Sequence, residues 1–192
     1  SVLALRSPLF LIIFPIIAII GALFSLFIPK VAAQNEKLKF NWNVPADLFS
    51  GLKLINKNKS LRMCVLGNSY FYALGVVLIT CVINMGKFDF KLSNEQSSYL
   101  LVILSLGMGA GCFLAGKLSR GRIELGLVPI GMAGIMVFML DLSFAGKEQL
   151  WRAAIDLALL GISAGLFVLP LKVFVQQRSD EANRGRILAM DN

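Results

Sequence analysis

Apolar and polar residues alternate along this chain in long blocks. Long apolar stretches cover Leu9–Ile28, Met63–Met85, Ser98–Leu118, Ile123–Leu140 and Ala153–Val175. Each holds 18–23 residues, enough as a helix to cross a hydrocarbon layer of about 30 Å. The pattern predicts an all-α, polytopic membrane helix bundle with about five transmembrane helices. The longest polar block, Lys30–Arg62, changes period half way. Its first half, with Lys37, Lys39 and Asn41, reads as irregular. In its second half Pro45 suits a first helical position. Leu48, Phe49, Leu52 and Ile55 then share one face, with Ser50, Lys53 and Lys57 away from it. This predicts a short amphipathic helix, either lying on the membrane surface or serving as a solvated linker. Three segments result: a transmembrane helix over 1–29, a linker over 30–62, and a helix bundle over 63–192.

Charge adds an orientation. If the polar blocks are assigned alternately to two sides, one side collects 14 of the 19 Lys and Arg residues. That side holds Lys30–Arg62, the Lys117–Arg122 turn and the tail from Lys172. The positive-inside tendency makes it cytoplasmic. The same distribution removes a nucleic-acid reading of the net charge of +8, because the cations form no single patch on a polar fold. Composition agrees with membrane residence: 57% of residues are hydrophobic, 16% are charged, and mean hydropathy is +0.75. The abrupt ends suggest a piece of something larger.

Candidate chemistry is sparse. The chain has no His, so imidazole acid–base work and His metal sites are excluded. Cys64, Cys81 and Cys112 lie far apart inside apolar runs and read as packing residues. No nucleophile–base pair, phosphate loop or metal cluster is visible, so neither a catalytic centre nor a cofactor is expected. The informative polar groups are those inside the spans. Asn68, Tyr70, Tyr72 and Asn84 must bond to neighbouring helices or line an aqueous path, since lipid leaves them unpaired. Tyr70 and Tyr72 equally suit an interface belt. Asp156 is either half of a local pair with Arg152, four residues earlier, or a cavity carboxylate. Lys117, Arg120 and Arg122, with Glu124 as the nearest acid, form a turn that anchors topology or biases a conformational equilibrium. Arg178, Arg184 and Arg186 belong to a second charged loop, where Ser179, Asp180 and Glu181 resemble a helix start. Gly107 with Gly111, and Gly161 with Gly165, form GxxxG pairs suited to close helix packing within the bundle. Pro129 and Pro170 suggest kinks.

Three stretches resemble the major facilitator superfamily. "GCFLAGKLSRGRIELGLVPIG" (Gly111–Gly131) is similar to its loop signature between helices eight and nine. "LPLKVFVQQRSDEANRGRILAMDN" (Leu169–Asn192) is similar to the link from helix ten to eleven. "GLKLINKNKSLRMCVLGNSYF" (Gly51–Phe71) is similar to the central loop entering helix seven. Together they most resemble the lysophospholipid transporter branch, which includes membrane domains fused to an acylglycerophosphoethanolamine acyltransferase and an acyl-carrier-protein synthetase. One departure stands out: Gly116 occupies the place of the superfamily's usual loop acid. The resemblance implies helices six to ten of a partial major facilitator fold in the bacterial inner membrane, working by alternating access. It implies a lysophospholipid substrate, delivered for re-acylation, with the bilayer and the remaining transporter helices as partners. A drug or small-solute exporter of the same fold, or an anchor for a fused acyltransferase, are the alternatives.

Overall fold

The computed structural model describes residues 8–27, 44–120, 122–146, 149–180 and 183–191, and those residues form helices and short connections only. Among the described residues seven helices follow one another: α1 (Pro8–Leu26), α2 (Val44–Lys57), α3 (Lys59–Phe88), α4 (Asn94–Ser119), α5 (Leu127–Ser143), α6 (Leu150–Arg178) and α7 (Arg184–Asp191). Residues 1–39 and 40–192 are separate units. In the first, α1 is 19 residues of nearly pure hydrocarbon with Pro15 inside it. The irregular stretch expected around Lys37, Lys39 and Asn41 lies outside the described residues.

Helices α3, α4 and α6 are long and apolar enough to cross a membrane. At 1.5 Å per residue, the 30 residues of α3 reach about 45 Å, more than the hydrocarbon layer requires. Local capping explains why these helices outrun the apolar blocks. The Asn58 side chain accepts from the amides of Ser60 and Leu61, at 3.1 and 3.3 Å, which starts α3 four residues before Met63. Ser93 and Gln96 form a capping box that starts α4 at Asn94, ahead of Ser98. α4 ends at Arg120 in the left-handed region, φ 44°.

Three sequence-based expectations need correction here. The fourth span does not start at Ile123: Glu124 and Leu125 make turns to Leu127 and Val128, and α5 runs Leu127–Ser143. Pro129 therefore falls in the first turn of α5, where a missing N–H costs nothing, and marks no kink. Ser179 does not open a helix; it caps the end of α6, its hydroxyl bonding back to the Val175 carbonyl. Asn183 leads into α7 instead, with its amide bonded to Asp180 at 2.9 Å. The amphipathic helix is present as α2, but Phe49 and Leu52 are exposed while Gly51 and Ile55 are buried. Gly51 is the reason: a Cβ there would meet Met190 of α7 at 2.9 Å, so the helix sits down on its glycine.

α6 is the axis of the bundle. Of its 18-residue apolar window 61% is buried, against 22% for α4 and 11% for α3, so its neighbours wrap around it. Packing between α4 and α6 is backbone to backbone. Cβ atoms on Gly107 and Gly111 would strike the Ala158 and Ile162 carbonyls. Cβ atoms on Gly161 and Gly165 would strike the backbone of Leu104–Cys112. The two GxxxG pairs thus face each other across one seam, as small residues do where helices lack a hydrophobic driving force. Gly131 of α5 meets Phe167 and Ser163 of α6 in the same way. Pro170 lies inside α6, which continues as helix to Arg178.

Candidate functional site

On the other flank α6 does not close on its neighbours. α3, α4, α5 and α6 line a partly open cavity of about 400 Å³. Its walls include Leu74 and Leu78 of α3, Leu104 and Met108 of α4, Met139 of α5 and Leu160 of α6. The lining is almost wholly apolar. Tyr72 and Ser105 bring the hydroxyls, and the Ser105 hydroxyl is already bonded to the Leu101 carbonyl at 2.8 Å. Near Tyr72, Phe71 stacks on Phe167 with ring centroids 5.7 Å apart, which joins α3 to α6.

Tyr72 connects this cavity to a buried polar network. The Lys172 ammonium lies 5.0 Å from the centre of the Tyr72 ring. It donates to Asp191 Oδ2 at 2.8 Å. Asn68 Nδ2 donates to Asp191 Oδ1, also at 2.8 Å. Three helices thus meet on one carboxylate: α3 through Asn68, α6 through Lys172 and α7 through Asp191. The Asp191 side chain is 1% exposed and that of Lys172 26%. Asn68 is fully buried, and its Oδ1 has no hydrogen-bond partner.

A second polar cluster lies at the opposite end of α6. The Arg152 guanidinium pairs with Asp141 of α5. The expected local pair of Arg152 with Asp156 is therefore corrected: Asp141 sits across the helix interface and takes the guanidinium, which also bonds Gln149 at 3.2 Å. Asp156 is 4% exposed with Oδ2 unpartnered, one turn beyond the cavity-lining Leu160. Its carboxyl is within electrostatic reach of both Asp141 and Arg152.

The remaining candidates scatter. Tyr70 and Asn84 are exposed and stay clear of the cavity. Lys117, Arg120, Arg122 and Glu124 are all exposed. Among the described residues, Glu124 makes no ion pair with those cations, so it is not the acid partner it was expected to be. Arg178 lies over the Phe174 ring, Arg184 buries an unpartnered Nε, and Arg186 packs by Gly51. Sequence reading missed Lys172, Asp191 and Asp141 as site residues. Lys172 and Asp141 carry a signal, a charge flanked by apolar residues on both sides within a helix, as in "LPLKVFV" and "MLDLS"; Asp191, between Met190 and Asn192, carries none. Among the described residues no cluster of His, Cys, Asp or Glu could hold a metal ion.

The sequence profile described as Major Facilitator Superfamily matches residues 3–192. The chain is similar to the lysophospholipid transporter LplT of Shigella boydii serotype 4 (strain Sb227). It is equally similar to the proteins of that name from Escherichia coli O139:H28 (strain E24377A / ETEC) and Escherichia coli (strain K12 / DH10B). Each is 26% identical over 175 residues, covering 88% of this chain. The chain spans 42% of the length of those relatives. No solved structure matches it.

Proposed function

Because the chain belongs to the Major Facilitator Superfamily, we propose that it forms part of an alternating-access transporter that moves lysophospholipid across the bacterial inner membrane for re-acylation. The observation that carries this reading is the pairing of an apolar cavity with one charged network at its edge. A lysophospholipid is a hydrocarbon tail with a compact charged head, and such a ligand wants apolar walls and a few fixed polar groups. The cavity wall from Leu74 to Ile79 suits the tail, and Tyr72 marks where polarity begins. A sugar phosphate would want several buried cations, and the cavity lining supplies none.

The basic loops face the cytoplasm in this reading, so α3 leaves and α6 returns to the inner face. The network of Asn68, Lys172 and Asp191 then lies toward the cytoplasmic end, where an arriving lysolipid would be handed to an acyltransferase, fused to the transporter or acting beside it. The α4–α6 glycine seam keeps part of one half-bundle rigid while the two halves rock.

Uptake of labelled lysophosphatidylethanolamine into liposomes carrying the whole transporter tests the reading, with a hydrophobic cation assayed in parallel. Saturable lysolipid uptake that the hydrophobic cation does not compete away is expected. Saturable uptake of the cation with none of lysolipid would make the protein a drug or solute exporter.

A further inference from the structure

We propose that α2 is a docking surface for anionic phospholipid. Its exposed arc lies on the cytoplasmic leaflet, with Phe49 and Leu52 at the acyl boundary and Lys53 and Lys57 among the phosphates. The surface is separate from the cavity and holds whatever the transporter carries.

The seat of α2 fixes which side is free. Gly51 and Ile55 are buried, and Gly51 rests against Met190 and Arg186 of α7. At 100° per residue, Leu52, Asn56, Phe49, Lys53 and Lys57 then follow one another around the opposite arc. All five are exposed, Phe49 by 74% and Leu52 by 50%. Apolar side chains thus stand next to lysines on one free surface, the arrangement of a helix that lies in a membrane interface.

The join to α3 sets the height of that surface. Asn58 ends α2 and caps α3. It stands about 7.5 Å before Met63 along the helix axis, at 1.5 Å per residue. Met63 opens the apolar block and is itself exposed. The headgroup layer is about 5–8 Å deep on each face of the hydrocarbon, so the end of α2 is held within that layer.

Charge names the occupant. Between Asp47 and Asp89 the sequence holds no acid, while Lys53, Lys57, Lys59 and Arg62 fall within ten positions. Among the described residues none of these four cations is in an ion pair. A protein surface covering Phe49 would also have to desolvate Lys53, its neighbour one turn on. A leaflet takes both at once: the ring enters the acyl boundary, and the lysine reaches back to the phosphates. Each such lysine strengthens attraction to an anionic leaflet about fivefold. The excess of cations on this side of the membrane puts that leaflet on the cytoplasmic face.

The test uses the whole transporter with its native cysteines replaced, in liposomes of phosphatidylcholine with or without phosphatidylglycerol. A spin label is attached at Phe49→Cys, at Leu52→Cys or, as an aqueous reference, at Glu124→Cys. Its collisions with oxygen, which concentrates in acyl chains, are compared with its collisions with a nickel chelate, which stays in water. Labels at positions 49 and 52 should favour oxygen, and the label at 124 the chelate. Phosphatidylglycerol should shift 49 and 52 further from the chelate. Lys53→Gln with Lys57→Gln should abolish that shift and leave position 124 unchanged. Labels as open to the chelate as position 124 would make α2 a solvated linker, and labels shielded from both reagents would mean a protein contact; either result overturns the proposal. So would readings that phosphatidylglycerol or the lysine changes do not alter. Phosphatidylglycerol carrying a diazirine near its glycerol backbone extends the test to the unaltered transporter. Irradiation should give adducts at Phe49 or Leu52, and their absence from α2 would equally overturn the proposal.

Discussion

At one end of α6, Lys172 joins Asn68 and Asp191 from two other helices around a carboxylate that solvent barely reaches. At the other end Arg152 and Asp141 pair at the surface, both side chains more than 40% exposed, with Asp156 left over in the interior. The first cluster matches its charges and ties three helices together. The second holds two acids to one cation and ties only α5 to α6. Helix α6 therefore carries a largely buried, balanced site and an open, unbalanced one. Position relative to solvent decides what each is worth. A buried pair is expensive to break because removing one member strands the other. An exposed pair is screened and contributes little.

The α4–α6 glycine seam between the two ends of α6 is backbone-to-backbone packing, so breaking it should have the largest effect. In Gly165→Leu the new side chain must enter a space where even a Cβ lies 2.6 Å from the Gly111 and Met108 backbone. Helices α4 and α6 must separate, at a cost of about 3 kcal/mol or more. Size-exclusion chromatography in detergent should then show aggregated protein; a monodisperse peak with wild-type melting would mean the seam is not tightly packed.

Next comes the largely buried cluster. Lys172→Met leaves Asp191 without its cation. The expected loss is about 3 kcal/mol, the low end for a broken buried pair because Lys172 is partly exposed. Thermal unfolding in detergent measures it. The double change Lys172→Met with Asp191→Leu should recover most of that loss while transport stays absent. If the double variant were as unstable as the single one, the carboxylate would not be the source of the cost.

A smaller effect is expected at Asp156. Asp156→Asn keeps the volume and removes the surplus negative charge, so folding should be preserved while lysolipid uptake falls. Unchanged uptake would assign Asp156 to structure alone. Smallest of all is Arg152→Gln, whose melting midpoint should match wild type because the pair it breaks is exposed. A large drop there would erase the contrast between the two ends.

Much of the architecture is legible in the sequence because lipid imposes one simple rule on every span: long apolar helices with polar loops. The apolar blocks of residues 63–175 each correspond to a helix, and GxxxG spacing points to the residues that make the α4–α6 seam. Helix ends were less legible, since Asn58, Ser93 and Ser179 set them through side-chain bonds that hydropathy does not register. The site was least legible. Asn68 stands out as a polar group in an apolar span, yet its partner Asp191 is 123 positions away. Lys172 counts equally well as one more basic residue on the cytoplasmic side. Only the fold shows that these three residues meet beside Tyr72.

Photo-crosslinking tests the central claim most directly. A lysophosphatidylethanolamine with a diazirine near the end of its tail, irradiated with the whole transporter and mapped by peptide mass spectrometry, reports where the tail lies. The account predicts adducts on cavity residues such as Leu78, Leu104, Met108 and Met139, reduced by excess unlabelled lysolipid. Adducts confined to exposed α4 positions such as Phe113 and Leu118, and indifferent to competitor, would contradict it.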